Sequence, residues 1–597
     1  MLRLPSLSRQ LLQQSCNLLL QGQVARPRIH FDSLKDHRHH TTRPHQSQMK
    51  RKRWAWDSLD AASSRERTWP PGPVTLDELY DWPRRNAKAI SCDAEKLCRM
   101  TSNFMNGIHL YSDYSGSCCD KEALLRSWDG IKHVNTLGDL TCPLYFERAC
   151  DIGKTQLGVL CDISRLHTGG RMCVFNDLMK RCDAIAQQWL QAAAPSESST
   201  PQEIQASYAS MLSWLWQNRS WALRADLTQH CLVHNKQCPV HPSSKRTAPE
   251  ASAPSSTLKY TTEAACPGSG RDPLWVHFAG VTCDGWSTIG SQQRLAHKSE
   301  MPHNVYVAER KVRGEEGLED LAFTECTPNY PVKHKMQEPL SGTHKVVWVV
   351  TGPEFLGYPV HRRRVLSASI CMRRCAWVGP EDPTEEFRSL FYQATRATGD
   401  MLLCGPNQDR VDEYQALAAT QSNYIDKEDI PSMDTERLMA SVLSPGQHRR
   451  FQMWASVERD TPLVTDLDHN PETRMRGGLL WPVQLTHGLV CAFPVGSQPK
   501  LATPLEHWGA HGFHLFDSTT KTCAKSSMLP IFTKLSRSKL KELSGRGIHV
   551  AVLSAWMMYV LSNIVRVDRK ENIRVMKGLS WEELAMSDDE RQERTDC

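Results

Sequence analysis

Regular disulfide spacing is the first thing this sequence lacks. Its 21 cysteines fall at no repeating interval, which excludes a secreted disulfide scaffold and implies a reducing compartment, with thiols free or metal-bound. No convincing secretory signal is read at the start either, since LLQQSCNLLL (11–20) is broken by polar residues. Acids are nearly missing from residues 1–53, where eleven Lys/Arg meet only Asp32 and Asp36. Charge of either sign is missing from Gly547 to Val565, a run close to membrane-spanning length. That run contains His549, Ser554, Ser562 and Asn563 and follows a basic, polar stretch, so it reads as a buried helix of a large soluble domain.

The 597 residues can bury a large core and carry more than one folded unit. The net charge of +6 is only mildly basic, and its distribution says more than its sum. Residues 1–100 read as a basic, disordered or weakly ordered N-terminal region rich in Arg, Ser, Gln, His and Pro. Two targeting readings compete there. The acid-poor start suits a mitochondrial or plastid transit peptide, whereas Lys50-Arg51-Lys52-Arg53 suits nuclear import or nucleic-acid contact. Segments 191–203 and 243–257 read as Pro/Ser/Ala-rich linkers around an insertion, 191–271. Residues 380–540 are irregular and mixed and read as a separate lobe; 541–567 contains the apolar helix, and 568–597 is a charged tail.

Order is expected from Phe104 onward. GIHLYSDYSGSCC (107–119) reads as a strand, a turn of small residues and the start of a helix, with Ala123, Leu124 and Trp128 on one face. That unit offers backbone N–H groups to an anionic or nucleotide-like ligand. PLYFERACDIG (143–153) and RMCVFNDLMKRC (171–182) are further strands, ending on Asp151 and on Asn176-Asp177. In a doubly wound sheet, acids at successive strand ends can receive a ribose diol and an exocyclic amine, although each alone also suits a helix cap. In HCLVHNKQCPVH, Cys231, His234, Cys238 and His241 follow C-x2-H-x3-C-x2-H, a set of donors that can hold zinc.

The second half supplies reactive groups. PLWVHFAGVTCDGWSTIG (273–290) brings a β-run to a turn that carries Cys283, where a thiolate nucleophile can be displayed. Leu318 to Phe323 leads to Glu325, and KVVWVVTGPEFLGYPVHRRR (345–364) ends in three arginines after a Gly-Tyr-Pro turn.

The order of these pieces resembles the DNA (cytosine-5) methyltransferases. YSGSC (114–118) is similar to the family's cofactor loop, VTCDGWSTIG (281–290) to its nucleophile loop, FTECT (323–327) to its glutamate element, LGYPVHRRRV (356–365) to its arginine element and SGRGIHV (544–550) to its C-terminal element. The chain departs from the family pattern at Cys118, Thr282, Asp284, Cys326-Thr327, Val360 and Arg546. The resemblance implies an α/β fold with a Rossmann-like S-adenosylmethionine-dependent sheet, in a cofactor half (101–190) and a nucleophile half (272–379), with 380–540 as target-recognition lobe. It implies that Tyr114, Ser115, Gly116, Ser117, Asp151, Asp177, Gly545 and Gly547 bind S-adenosylmethionine. Cys283 would attack C6 of cytosine, Glu325 would donate to N3, Arg362 would hold O2, and Arg364 would position Glu325 or a phosphate. DNA in the nucleus is the expected partner. RNA methylation, or an inactive nucleic-acid-binding relative, are the alternatives.

Overall fold

The computed structural model describes residues 69–567 apart from 139, 141–142, 242–272, 288–289, 421–428, 431–432, 470–477 and 518–523. The targeting readings of the first 68 residues, the whole of the second linker (243–257) and the charged tail fall outside the described residues.

Uninterrupted apolar runs become the middle of a parallel sheet, where both faces are covered by helices. β1 (Ile108–Asp113), β2 (Leu144–Cys150), β3 (Cys173–Phe175), β6 (Leu274–Gly280), β7 (Leu321–Cys326), β8 (His344–Thr351) and β9 (Arg364–Cys371) form one seven-stranded sheet in the order β3-β2-β1-β6-β7-β9-β8. β9 is the reversed strand, antiparallel to both β7 and β8. β1 and β6 pair in parallel, so the segments on either side of residues 191–271 share a single sheet. Strand order turns back between β1 and β6, which makes the crevice beyond their carboxyl ends the expected ligand site of such a fold.

Helices cover both faces. On one side lie α1 (Trp82–Ser91), α2 (Ala94–Met105), α3 (Cys119–Val134) and, from the far end of the chain, α11 (Val550–Ser562). Ala87, Ile90, Met100, Phe104, Leu124, Trp128 and Trp556 pack there against Leu110, Val276, Phe278 and Phe323. All thirteen residues of α11 are buried, and among the described residues no helix is long and apolar enough to cross a membrane. α4 (Lys154–Thr168) covers that same side near the sheet edge through Val159, Leu160 and Ile163. The other side holds α5 (Ala184–Ala192), α6 (Pro201–Gln217) and α7 (Glu300–Glu316). Ala186, Leu190, Met211, Leu215, Val305 and Tyr306 meet Cys150, Ala279 and Cys326 in the second core.

Two expectations are corrected here. Residues 69–100 are not disordered: their apolar side chains are spread among Arg, Lys and Asp, which hides the buried stripe of Leu79, Trp82, Ala87 and Ile90. Asn86 and Asn103 donate to the carbonyls of Ala551 and Leu561 and tie this region to α11. Segment 191–203 is not a free linker either. Thr200 and Glu203 form a reciprocal capping box around Pro201 and start α6.

The lobe has its own small core around Tyr414, Leu438, Trp454, Cys491 and Phe493. α8 (Asn407–Thr420) and α9 (Pro445–Ala455) pack there with the antiparallel strands β11 (Leu463–Asp466), β12 (Val490–Phe493) and β13 (Lys500–Leu501). Its link to the sheet is direct, because Trp481 exchanges backbone hydrogen bonds with Pro359 and His361 (2.7 and 2.8 Å).

Candidate active site

The loop after β1 is built on unusual backbone. Tyr114, Gly116 and Cys118 all have positive φ, +51°, +52° and +55°. A left-handed tyrosine and cysteine cost conformational energy, and such residues concentrate at ligand-binding loops. Asp151, at the end of β2, accepts from the N–H groups of Gly116 and Gly153, each at 2.9 Å. Burial pushes its carboxyl pKa up against the pull of these amides. A Cβ placed on Gly116 would meet nothing within 4 Å, so the space above the loop is open. Ile152, next to Asp151, is 84 % exposed. An apolar side chain held out beside a carboxylate suits a flat nucleobase carried on a diol-bearing sugar.

Other cofactor candidates have more local duties. Ser115 donates its hydroxyl to the Cys150 carbonyl (3.2 Å), and Ser117 Oγ lies 3.5 Å from Cys119 Sγ. Asp177 accepts from the Met179 N–H (2.9 Å) and so caps the short helix after β3, with its remaining lone pairs uncommitted by that bond. Gly545 is required by packing, because a Cβ there would come within 2.4 Å of the Thr486 nitrogen. Gly547 lies against Trp508 and His511. The next residue reaches the cofactor side: the Ile548 N–H donates to Cys119 Sγ at 3.3 Å.

Cys283 lies just beyond β6. Its carbonyl accepts from Trp286 and Ser287 (2.9 and 2.7 Å), which closes a tight turn. Gly290 is obligatory in that loop, since a Cβ would sit 2.2 Å from the Asp284 carbonyl oxygen. Trp286 is buried edge-on to Tyr330, and its carbonyl accepts from Asn329 Nδ2 (3.3 Å). The nucleophile loop is thereby tied to the segment after β7.

Sheet register brings the charges to the same edge. β9 runs antiparallel, so its first residue, Arg364, lies where β7 ends, with Cys326 opposite Val365 and Glu325 opposite Leu366. Arg364 Nε is 2.9 Å from Glu325 Oε1. The pair lacks hydrogen-bond alignment, and Glu325 Oε1 is a buried oxygen with no hydrogen-bond partner. Burial pushes the half-buried Cys283 thiol above its usual pKa; Arg364 and Arg362 pull it down, while Glu325 and Asp284 push it up. Cys283, Glu325 and Arg364 therefore form one electrostatic group.

Arg362 occupies a different place from the one its motif implies. Its guanidinium, 4 % exposed, donates to the carbonyls of Gln484, Gly545 and Gly547. Burial and then Arg364 lower its pKa to about 9. The charge is felt at Cys283 and Glu325 as well as Cys119, so Arg362 stands between the nucleophile and the C-terminal element. With both terminal nitrogens donating to backbone carbonyls, it pins that element to the strand end, and only its buried Nε is left without a hydrogen-bond partner. Arg363, the middle arginine, bonds Glu354 (3.1 Å) and lies over Phe355.

The thiol–imidazole island also differs from its spacing. Cys231, His234 and Cys238 come together, but their fourth neighbour is Cys173 of β3. His241 is carried under the sheet because Val240 is fixed by the Leu227 carbonyl and by Arg148. There His241 Nδ1 lies 3.0 Å from Glu309 Oε1, in a buried network with Asp113, Arg148, Arg181 and Arg310. Burial lowers its pKa to about 3. Sequence reasoning missed Cys173 and Ile152. Cys173 was visible as a cysteine opening a strand, and Ile152 as an apolar residue directly after a strand-end acid.

The seven-stranded sheet with one reversed strand, and with the glycine loop, thiol, glutamate and arginine at its carboxyl edge, defines a doubly wound α/β fold with a candidate active site. No protein-family model matches the sequence, and no curated protein matches it. Among solved structures, the chain is similar to the Entamoeba histolytica methyltransferase EhMeth (9 % identity, 76 % of this chain and 98 % of that one, TM-score 0.33). It is similar too to the S. pombe Dnmt2 methyltransferase (10 %, 76 % and 98 %, TM-score 0.31). A mutant of Spodoptera frugiperda DNMT2 aligns over 76 % and 99 % at 11 % identity with TM-score 0.28. Alignments this loose carry no argument about the site, which stands on its own geometry.

Proposed function

We propose that this chain is an S-adenosylmethionine-dependent methyltransferase acting at C5 of cytosine, with DNA as its substrate. The observation that carries the reading is the meeting of Cys283, Glu325 and Arg364 at one sheet edge, one strand from the Gly116 loop. Asp151 would take the cofactor's ribose hydroxyls, Asp177 its adenine amine, and Ile152 the flat face of the purine. When bound, S-adenosylmethionine supplies an electrophilic methyl on its sulfonium.

The protein's own part begins at the thiol. Cys283 loses its proton and its sulfur bonds to C6, which breaks the aromatic system and makes C5 nucleophilic. Glu325 would face N3 and the exocyclic amine of the base and offset the charge that develops there. Arg364 holds the Glu325 carboxyl and favours the thiolate. Once C5 carries the methyl, loss of the C5 proton to solvent leaves its electron pair to re-form the C5–C6 double bond and expel the Cys283 sulfur. Arg362 acts as a positioning residue through the Gly545 and Gly547 carbonyls. The target base has to leave the duplex to reach the thiol, and the lobe at 380–540 is the part available to hold the displaced strand.

One observation favours a second reading, an inactive nucleic-acid-binding relative: burial disfavours the very thiolate that catalysis needs. Transfer of labelled methyl from S-adenosylmethionine to DNA and to RNA separates the readings. Incorporation into DNA that Cys283→Ser abolishes is the expected result. Labelled RNA alone would change the substrate, and no label on either would leave the binding reading.

A further inference from the structure

The cluster of Cys173, Cys231, His234 and Cys238 lies outside the site described above, and its geometry is that of a closed metal centre. His234 Nδ1 is 3.5 Å from Cys173 Sγ and 3.4 Å from each of Cys231 Sγ and Cys238 Sγ. All four donor atoms lie within 4.8 Å of one another. Bonds of ~2.3 Å to sulfur and ~2.0 Å to nitrogen at a tetrahedral angle put nitrogen and sulfur about 3.5 Å apart. The other ring nitrogen, Nε2, is 2.8 Å from the Gly170 carbonyl oxygen. That bond fixes the proton on Nε2 and leaves the Nδ1 lone pair facing the three sulfurs, the outer-sphere arrangement usual for a ligating histidine.

Local structure explains why the donors meet. β4 (Thr228–Cys231) and β5 (Lys236–Pro239) form a hairpin whose turn contains Asn235 at φ +50°. The turn brings Cys231, His234 and Cys238 to one end, and the hairpin docks on the free edge of β3. Leu232 donates to the Val174 carbonyl (2.9 Å), the Val174 N–H donates to Cys231 Sγ (3.4 Å), and Gln229 Nε2 donates to Asn176 Oδ1 (3.3 Å). The edge strand β3 is three residues long, from Cys173 to Phe175, pairs with β2 on one side only, and leads straight into Asn176-Asp177.

We propose that Cys173, Cys231, His234 and Cys238 bind a structural zinc ion that clamps the inserted hairpin to β3 and so fixes the adenine side of the cofactor crevice. Three thiolates and one imidazole fill a tetrahedral zinc and leave no open position for substrate. Binding releases the three thiol protons. His241, paired with Glu309, takes no part. The clamp's effect on the cofactor rests on the function proposed above; the metal site itself does not.

The test uses the purified full-length chain. Elemental analysis should find stoichiometric zinc, and X-ray absorption at the zinc edge should report three sulfurs and one nitrogen. Cys173→Ser should lose the ion, and Cys283→Ser should keep it. Two sulfurs with two nitrogens would overturn the ligand set, and thiols free or oxidised without zinc would overturn the site. Removing zinc with a chelator should weaken S-adenosylmethionine binding by about tenfold, within the usual range of coupling between sites. Unchanged affinity after zinc loss would overturn the clamp. Failure of the zinc-loaded protein to bind S-adenosylmethionine would overturn the proposed function and leave the metal site standing.

Discussion

Two groups of cysteine sit at the carboxyl edge of the sheet and near its free side, and they differ in what surrounds the sulfur. Around Cys283, itself half-buried, lie the Arg364 guanidinium, the Glu325 carboxyl it pairs with and the buried Cys326 thiol at the end of β7. Around Cys231 the neighbours of a thiol are two more thiols and an imidazole whose second nitrogen is already engaged. Charged, unsaturated surroundings suit a sulfur that reacts; mutually saturating donors suit a sulfur that is consumed by a metal. The lesson is that cysteine chemistry here is set by the partners each fold element delivers, since the residue type is the same.

The largest effect should come from exchanging the reactive sulfur. Cys283→Ser should lower methyl transfer at least about a thousandfold, as removal of a nucleophile does, while zinc content and melting temperature stay unchanged. Loss of zinc in the same variant would dissolve the distinction between the two groups.

Arg364→Gln should follow. It removes the cation beside both Glu325 and Cys283, so transfer should fall about a hundredfold, the scale for losing one electrostatic stabiliser. The same variant sharpens the pH behaviour. A buried thiol raised above its usual pKa of about 8.5 reacts as thiolate only as pH climbs past that value. Alkylation of Cys283, followed by peptide mass spectrometry, should therefore have its midpoint above pH ~8.5. In Arg364→Gln the midpoint should move higher still, because a cause that lowers it has gone. A midpoint that falls would contradict the electrostatics.

Arg362→Met should act mainly on stability. The carbonyls of Gln484, Gly545 and Gly547 lose a buried charged donor, a change of ~3 kcal/mol by the usual cost of such bonds, readable in denaturant unfolding. A stable Arg362→Met protein that had lost only base binding would restore the role its motif implies. The smallest effect belongs to Ile152→Ser, which should weaken S-adenosylmethionine several-fold by removing one exposed apolar contact, on the order of 1 kcal/mol, without touching zinc or Cys283 reactivity. Equilibrium dialysis would read it.

These contrasts also mark what was legible in the sequence. Buried parallel strands are written as apolar runs, so β1, β2, β3, β6, β7 and β8 could be read, along with the loop residues at their ends. Cys283, Glu325 and Arg364 were each visible near a strand boundary, and the resemblance of motif order singled them out. The helices of residues 76–105 could not be read, since they are buried between α3 and α11, the latter contributed by the other end of the chain. His241 was misassigned because spacing gives the reach of a segment but not its direction, and a buried Glu309 had a stronger claim on it. Cys173 was missed for the matching reason: it meets Cys231 only through the docking of a hairpin on a strand edge. Arg362 faces backbone carbonyls that no local pattern foretells.

The central claim is that Cys283 is the sulfur that joins the substrate base. Incubating the full-length protein with S-adenosylmethionine and duplex DNA carrying 5-fluorocytosine blocks the final loss of the C5 substituent, so a productive attack remains as a covalent adduct. Peptide mapping by mass spectrometry should find the modified base on Cys283 and on no other cysteine. An adduct on a different cysteine, or none although S-adenosylmethionine and DNA are both bound, would contradict the account.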